Sequence, residues 1–242
     1  MSKFVLLAGD THGTINCGKV RKDMIAEYCS SNNLCVKDIE ALIILGDFGM
    51  VWAGHEDDQF ESLSKFYKRS YPVYAVYGNH ENYDAIKLYP LVERYGAQCR
   101  QITDNVHFIE RGETITIGSK RFLVLGGAKS IDKCYRREFI SWWKQEYWSK
   151  SEIDLLMQKL ETDNVFDYVL SHTGTTEAKF DLIGINEKYR DYELFKDDIE
   201  TLNAEIEKLI TFNHWYYAHY HEDKSNEKFS CLFNNLKHVM VD

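Results

Sequence analysis

Short apolar runs of this chain end repeatedly in clusters of residues that can bind metal ions. Continuous apolar runs of this length are typical of strands buried on both faces. The runs cover residues 4–8, 41–45, 73–77, 168–170 and 215–218, and the clusters that follow them contain, in order, Asp10 and His12, Asp47, Asn79 and His80, His172, and His219 and His221. Because ligands of open α/β sheets bind at the carboxyl ends of the strands, we predict that these clusters lie together.

The combined ligand set favours two ions rather than one. It consists of Asp10, His12, Asp47, Asn79, His172, His219 and His221. Carboxylate, amide and imidazole groups suit Mn²⁺, Fe or Zn²⁺ better than Mg²⁺ alone. The set is too large for one ion with an open site, and it fits two ions that share a carboxylate. Taken singly, each aspartate or asparagine fits equally well as a turn or cap residue.

Helical spacing of apolar residues alternates with the strand candidates in the first half of the chain. Helices are predicted over residues 19–31, 57–69, 151–160 and 198–212, with Ser151 as a candidate N-cap. Further strand candidates are residues 106–109, 114–117, 122–125, 229–233 and 239–241. This order predicts a layered α/β protein with a mixed sheet or two packed sheets. We expect one domain over residues 1–242, because the candidate ligands are spread from end to end.

The order Asp-x-His, Gly-Asp, Gly-Asn-His-Glu, Ser-His and His-x-His, from Asp10 to His221, resembles the calcineurin-like metallophosphoesterase superfamily. The resemblance implies an α/β fold in which two mixed β-sheets pack as a sandwich flanked by helices. It also implies the following ligand sets: Asp10, His12 and His221 for one ion, Asn79, His172 and His219 for the other, and Asp47 as a catalytic bridge between them. His80 is then a catalytic residue outside the metals, near the leaving group.

Two positions depart from the pattern of the superfamily. Ala218 stands where the family has glycine before His-x-His, which puts the local backbone in question. Asp47 is followed by Phe48-Gly49, whereas the Ser/Thr protein phosphatases of the superfamily have Asp-Arg-Gly. The missing arginine argues against carrying over their protein substrates.

The resemblance implies hydrolysis of a phosphomonoester or phosphodiester by in-line attack of a hydroxide that bridges two divalent ions. Mn²⁺ is the expected cofactor, with Fe, Zn²⁺ or Co²⁺ as alternatives, and a phosphoester is the expected substrate. Two other functions stay open: a metal-dependent nuclease, and a non-catalytic interaction module on the same fold. The formal net charge of -9 argues against a general nucleic-acid binder. The filled ligand positions argue against a non-catalytic module.

Residues 126–146 resemble a stretch in small bacterial and phage members of the superfamily. Within them, Arg136 and Arg137 are candidate substrate-binding residues, because guanidinium groups bind phosphate as a bidentate fork. A solvated basic loop is an equal alternative. Trp142 and Trp143 are better interpreted as anchors of this loop on the core.

The remaining polar residues of interest have simpler interpretations. Glu81 either orients a neighbouring group or forms a salt bridge. His55, His107, His214 and His238 match no ligand cluster and are expected at surface or structural positions.

Nothing in the sequence indicates a membrane partner or an oxidising compartment. The six cysteines contain no CxxC pair, so buried thiols in a reducing compartment are expected. The first apolar run is too short for a signal peptide, and no run approaches the length of a membrane span. We therefore expect a cytoplasmic protein, and the sequence leaves its oligomeric state open.

Overall fold

The computed structural model describes residues 2–52, 61, 63, 64, 66, 68–186 and 196–242. Most of the helix predicted over residues 57–69 lies outside the described residues, although Glu61, Leu63, Ser64 and Phe66 are helical. In chain order the strands are β1 (Phe4–Ala8), β2 (Ile39–Ile44), β3 (Val73–Ala75), β4 (Leu91–Arg94), β5 (Ala97–Gln101), β6 (Val106–Ile109), β7 (Thr114–Ile117), β8 (Lys120–Leu125), β9 (Tyr168–Ser171), β10 (His214–Tyr217), β11 (Lys224–Ser225), β12 (Phe229–Cys231) and β13 (Lys237–Met240). The helices are α1 (Lys22–Ser31), α2 (Tyr83–Lys87), α3 (Lys150–Leu160), α4 (Thr176–Ala178, continued by a π-helical turn over Lys179–Ile183) and α5 (Asp198–Leu209).

The strands form two mixed sheets. The first has the order β13-β1-β2-β3-β6-β5-β4 and the second β11-β12-β10-β9-β8-β7. The central strands of each sheet are parallel, and antiparallel strands complete the edges. Helices cover the outer faces. The predicted sandwich of two mixed sheets flanked by helices is therefore confirmed.

The core between the sheets explains why the central strands are apolar throughout. Along β1, Val5 packs in one buried cluster with Phe122 of β8, in the space between the sheets. Its neighbour Phe4 belongs to a second cluster with Ile25 of α1, on the outer face. Because successive side chains of a strand point to opposite faces, a strand covered on both sides needs an apolar residue at every position.

The helices of the second sheet pack through one apolar side each. Leu156 of α3 and Ile206 of α5 lie in one buried cluster with Trp215 of β10. The N-cap of α3 differs from the prediction: Ser149 caps the helix in a capping box with Glu152, and Ser151 lies inside the first turn. None of the described helices is long and apolar enough to cross a membrane.

One hairpin was not predicted from the sequence. Strands β4 and β5 are joined by Tyr95 and Gly96, which both have positive φ angles of 50° and 80°. Two such residues form the type I′ turn that suits the twist of a hairpin. The hairpin lies at the edge of the first sheet, and the burial of β4 alternates between exposed and intermediate. Its sequence therefore lacks the continuous apolar signal of the central strands.

Candidate metal centre

The polar clusters predicted from the sequence lie together, at the carboxyl ends of β1, β2, β3, β9 and β10. His172, which follows the second sheet's β9, reaches across to the first sheet. Its Nε2 lies 3.0 Å from Asn79 Oδ1 and 3.3 Å from Asp47 Oδ1, and its Nδ1 lies 3.5 Å from Asp10 Oδ1. Parallel strands from both sheets thus place carboxylate, amide and imidazole groups in contact.

Two further histidines close the other side of the cluster. His12 Nε2 lies 3.0 Å from His221 Nε2, and His12 Nδ1 lies 3.7 Å from Asp47 Oδ2. His221 Nε2 is 3.8 Å from Asp10 Oδ2. The backbone N–H of His219 donates to Asp10 Oδ2 at 3.2 Å. The centre of the His219 ring lies 5.0 Å from that of the His172 ring. All seven ligands expected from the sequence therefore belong to one cluster.

The hydrogen bonds of His172 indicate that the cluster can hold a cation. Nδ1 donates to the carbonyl of Leu45 at 2.8 Å, so Nε2 of the neutral ring carries a lone pair. That lone pair faces Asn79 Oδ1 and Asp47 Oδ1, which are also acceptors. Three acceptors that face one another need a proton or a metal ion between them. In addition, Asp10 Oδ1 is buried without a hydrogen-bond partner.

The side chains also group at distances that suit metal binding. Three sets have ligand atoms within 4.8 Å of one another: Asp10, His12 and His221; Asp10, Asp47 and His172; and His12, Asp47 and His80. Every set contains Asp10 or Asp47, and one set contains both, so the two carboxylates connect the three sets. This arrangement is consistent with a dinuclear site.

The pKa shifts describe the charge state of the metal-free cluster. Burial alone would lower the pKa of His172, but the carboxylates of Asp47 and Asp10 outweigh burial, and the pKa is raised to about 9. Burial raises the pKa of Asp10 to about 7. Burial lowers the pKa of His12 to about 4 and that of His219 to about 3. At neutral pH these last two rings are therefore neutral, which is the form that ligates metals.

The backbone around the ligands is tight and locally strained. A Cβ on Gly46 would lie 2.2 Å from His172 Nδ1, and one on Gly78 would lie 2.1 Å from Asp47 Oδ1, so only glycine fits at either position. Four ligands adopt the left-handed region, with positive φ angles at His12 (43°), Asp47 (47°), His219 (69°) and His221 (53°). Such residues cost about 1–3 kcal/mol each and are found mainly at functional sites.

The departure at Ala218 is accommodated without strain. Ala218 is not among the described residues with positive φ, so its methyl group meets no conformational penalty. The left-handed conformation falls on the following His219 instead. The substitution of the family's glycine therefore leaves the His-x-His segment in place.

His80 lies beside the cluster, and the two candidate arginines occupy different positions. The His80 backbone N–H donates to Asp47 Oδ1 at 2.7 Å, and its ring lies 5.0 Å from that of His12. The buried Arg136 side chain contacts the His80 ring, with Nη2 2.7 Å from Nδ1. Arg137 is exposed. Substrate binding by either arginine stays a prediction.

Two residues support the site from outside the expected ligand sets, and of these the sequence singled out only Glu81. Glu81 accepts hydrogen bonds from the backbone N–H groups of Phe48 (2.7 Å) and Gly49 (3.2 Å), so it fixes the turn after Asp47 and makes no salt bridge among the described residues. Lys19 donates to the carbonyl of Asp10 at 2.5 Å. A lysine near the start of a helix is normally solvated, so nothing local could identify this role.

The remaining expectations concern residues away from the site. Trp143 is buried and donates to Asp84 Oδ2 at 3.0 Å, which confirms the anchoring role, and Trp142 is buried beside it. His214 contacts Ser230 and His238 contacts Tyr28. His107 is buried against Tyr74. His55 lies outside the described residues. The six cysteines are free.

A cavity of about 460 Å³ opens over the cluster. The expected ligands His12, Asp47, Asn79, His219 and His221 line it, together with His80. Lys129, Ile131, Lys196 and Tyr220 are among its other lining residues. The cavity is large enough for a small phosphoester, and it places such a molecule against the ligands and His80 at once.

A two-sheet α/β sandwich with aspartate, asparagine and histidine at its strand ends is the arrangement expected of a metallophosphoesterase. The calcineurin-like phosphoesterase family matches residues 5–223, and the chain belongs to this family. Among solved structures, the chain is similar to phosphopantetheinyl hydrolase (PptH) from Mycobacterium tuberculosis, with a TM-score of 0.52 and 11% sequence identity. The match covers 96% of this chain and 90% of the hydrolase chain. A second solved structure matches over 100% of this chain and 100% of its own chain, with a TM-score of 0.50 and 11% sequence identity. At this identity the two likenesses show the fold alone. No curated protein matches the sequence.

Proposed function

We propose that this protein is a dinuclear metal-dependent phosphoesterase that hydrolyses a phosphomonoester or phosphodiester. The observation that carries the proposal is the convergence of three acceptors, His172 Nε2, Asn79 Oδ1 and Asp47 Oδ1, beside the orphaned Asp10 Oδ1. Buried acceptors that face one another are destabilising unless a proton or a metal ion lies among them. In the metal-free protein the second proton of His172, whose pKa is raised to about 9, takes that place, and a bound metal would displace it. Family membership supports the same conclusion.

The proposed ligand sets are those implied by the family resemblance, and contacts within the cluster support them. One cation would be held by Asp10, His12 and His221, and the other by Asn79, His172 and His219, with Asp47 in contact with both. When bound, the two cations supply positive charge for the phosphoryl oxygens and lower the pKa of water. Manganese is the proposed metal, because the imidazole ligands favour a transition metal over Mg²⁺ and the carboxylate and amide oxygens suit Mn²⁺.

The residues of this chain then have distinct tasks. The left-handed turns at His12 and Asp47 present the ligands on one side of the cavity. Leu45 O fixes which nitrogen of His172 faces the cluster. His80 faces the cavity outside the proposed ligand sets and supplies a hydrogen bond or proton to the leaving oxygen.

The experiment that tests this function combines metal content with a substrate panel. The protein is stripped by chelator, reloaded with Mn²⁺, and assayed with p-nitrophenyl phosphate, bis-p-nitrophenyl phosphate, a phosphopantetheinyl ester and a labelled single-stranded oligonucleotide. The phosphopantetheinyl ester is included because a protein of similar fold carries that name. We expect hydrolysis of a small mono- or diester that requires Mn²⁺.

The matched variants are His172→Gln and His238→Gln, which replace a histidine inside the cluster and one that contacts Tyr28 outside it. We expect the first to lose metal and activity and the second to keep both. Cleavage of the oligonucleotide alone would make the protein a nuclease. Two bound metals without hydrolysis of any substrate would favour the interaction module.

A further inference from the structure

The segment 126–146 lies against the loop that carries Asn79 and His80. The N–H of Gly127 donates to the carbonyl of Tyr77 at 2.8 Å, which ties the start of the segment to the end of β3. Trp143 ties its other end to Asp84 at 3.0 Å. The segment is therefore tied at both ends to the part of the chain around residues 79 and 80, which enter the site side by side.

One contact of the segment decides which atom of Asn79 faces the cluster. Ser130 is buried, its backbone N–H donates to Glu146 Oε1 at 3.2 Å, and its hydroxyl donates to Glu146 Oε2 at 2.6 Å. The single hydroxyl proton is thus committed to the carboxylate, so Ser130 Oγ can only accept from Asn79. Asn79 Nδ2 donates to it at 3.2 Å, which leaves Oδ1 directed at His172.

A second contact orients His80. Arg136 Nε binds Asp132 Oδ2 at 2.9 Å, and Nη1 donates to the carbonyl of Ser141 at 3.3 Å. Nη2 then lies against the His80 ring, 2.7 Å from Nδ1. The Arg136 side chain is only 8% exposed. A guanidinium held on three sides is a fixed support for the imidazole, and little of it is available to substrate.

We propose that segment 126–146 is a positioning device for Asn79 and His80: Glu146 acts through Ser130 to turn the oxygen of Asn79 toward one metal, and Asp132 acts through Arg136 to fix the His80 ring. The proposal rests on the proposed function, because a cation is what Asn79 Oδ1 would face. It gives Arg136 a task other than direct phosphate binding.

The Asn79 half is tested by calorimetric titration of the metal-free protein with Mn²⁺. In Ser130→Ala we expect the affinity for one of the two ions to fall about 10–100-fold, as is typical when an outer partner of a metal ligand is removed. Ser130→Thr should restore it, because threonine keeps the hydroxyl. Ser230→Ala, a buried serine whose partners are His214 and Ser225, is the matched control.

Glu146→Gln is the more specific variant, because it keeps the shape of the side chain and reverses the direction of the hydrogen bonds from Glu146 through Ser130 to Asn79. The Ser130 N–H can only donate, so the glutamine oxygen must face it and the glutamine N–H₂ must face Ser130 Oγ. The hydroxyl then donates toward Asn79, and Asn79 turns its N–H₂ to the site. We expect the same loss of affinity as in Ser130→Ala. Unchanged affinities in both variants would overturn this half, whereas a wild-type protein that binds no Mn²⁺ would instead refute the proposed function.

The His80 half is tested by a double-mutant cycle. Arg136→Met should lower kcat about 10–100-fold for an alkyl phosphoester, with KM and both metals unchanged. Arg94→Met on the edge strand β4, whose guanidinium contacts the carbonyl of Glu93, is the control. If Arg136 acts through His80, Arg136→Met should have no further effect in a His80→Asn background. Additive losses, or a raised KM with unchanged kcat, would overturn this half and restore Arg136 as a phosphate-binding residue.

Discussion

Replacement of His80 by asparagine tests whether this residue acts on the leaving group or binds metal. The geometry permits both roles, because His80 shares a set of ligand atoms with His12 and Asp47. Its ring, however, is in contact with the guanidinium of Arg136. Burial lowers the pKa of His80, and the positive charge of Arg136 lowers it further. A fixed positive charge at the ring also disfavours a metal ion there, so we expect His80→Asn to keep both metals.

The expected loss of rate follows from the chemistry of proton transfer. General acid catalysis contributes roughly 10²–10⁴-fold, which corresponds to about 3–5 kcal/mol of transition-state stabilisation. The loss in His80→Asn should be largest for alkyl phosphoesters, whose alkoxide cannot leave without a proton. For nitrophenyl esters it should be small, because nitrophenolate departs unaided.

The assay is therefore kcat for a series of aryl and alkyl phosphoesters, together with elemental analysis of the same protein samples. His238→Gln is the control histidine, since it contacts Tyr28 rather than the cluster. An equal loss for every leaving group would refute proton transfer and indicate simple charge stabilisation. Loss of one metal per chain would make His80 a ligand.

Three other predictions follow from the cluster. Chelation should abolish hydrolysis and Mn²⁺ should restore it, and undiminished turnover by protein shown to be metal-free would contradict the function. Mn²⁺ should bind more tightly at pH 8 than at pH 6, because bound metal displaces the protons of His172 (pKa about 9) and Asp10 (pKa about 7). Calorimetric titration in buffers of different ionisation enthalpy counts the released protons. An affinity that does not change with pH would contradict this displacement. Gly78→Ala should weaken metal binding, because the added Cβ would lie 2.1 Å from Asp47 Oδ1. Gly18→Ala is the control, because a Cβ there would meet no atom within 4 Å. Equal metal affinities in the two variants would show that the close approach of Gly78 to Asp47 is unimportant.

The convergence of the expected ligands could be predicted from sequence because each follows a central strand. A strand buried on both faces needs an apolar run, and polar residues directly after such runs stand out. The edge hairpin of β4 and β5 has no such run, and it was missed. The cap of α3 was placed two residues late: Ser149 and Glu152 have the Ser-x-x-Glu spacing of a capping box, and the structure shows both of its hydrogen bonds.

The residues that orient the ligands could not be predicted in this way. Ser130 and Glu146 lie far from Asn79 along the chain, and their contact depends on how the segment after β8 folds back over β3. Local periodicity carries no information on such long-range pairs. The single domain over residues 1–242 and the cytoplasmic location stay predictions.

Metal stoichiometry with and without Asp47 tests the central claim most directly. Asp47 reaches both halves of the cluster, with Oδ1 3.3 Å from His172 Nε2 and Oδ2 3.7 Å from His12 Nδ1. The measurement is Mn²⁺ per chain, by elemental analysis after loading and desalting, for the wild-type protein and Asp47→Asn. A bridging carboxylate predicts two ions per wild-type chain and the loss of both in the variant. One ion in the wild type, or two retained in Asp47→Asn, would contradict a dinuclear site bridged by Asp47.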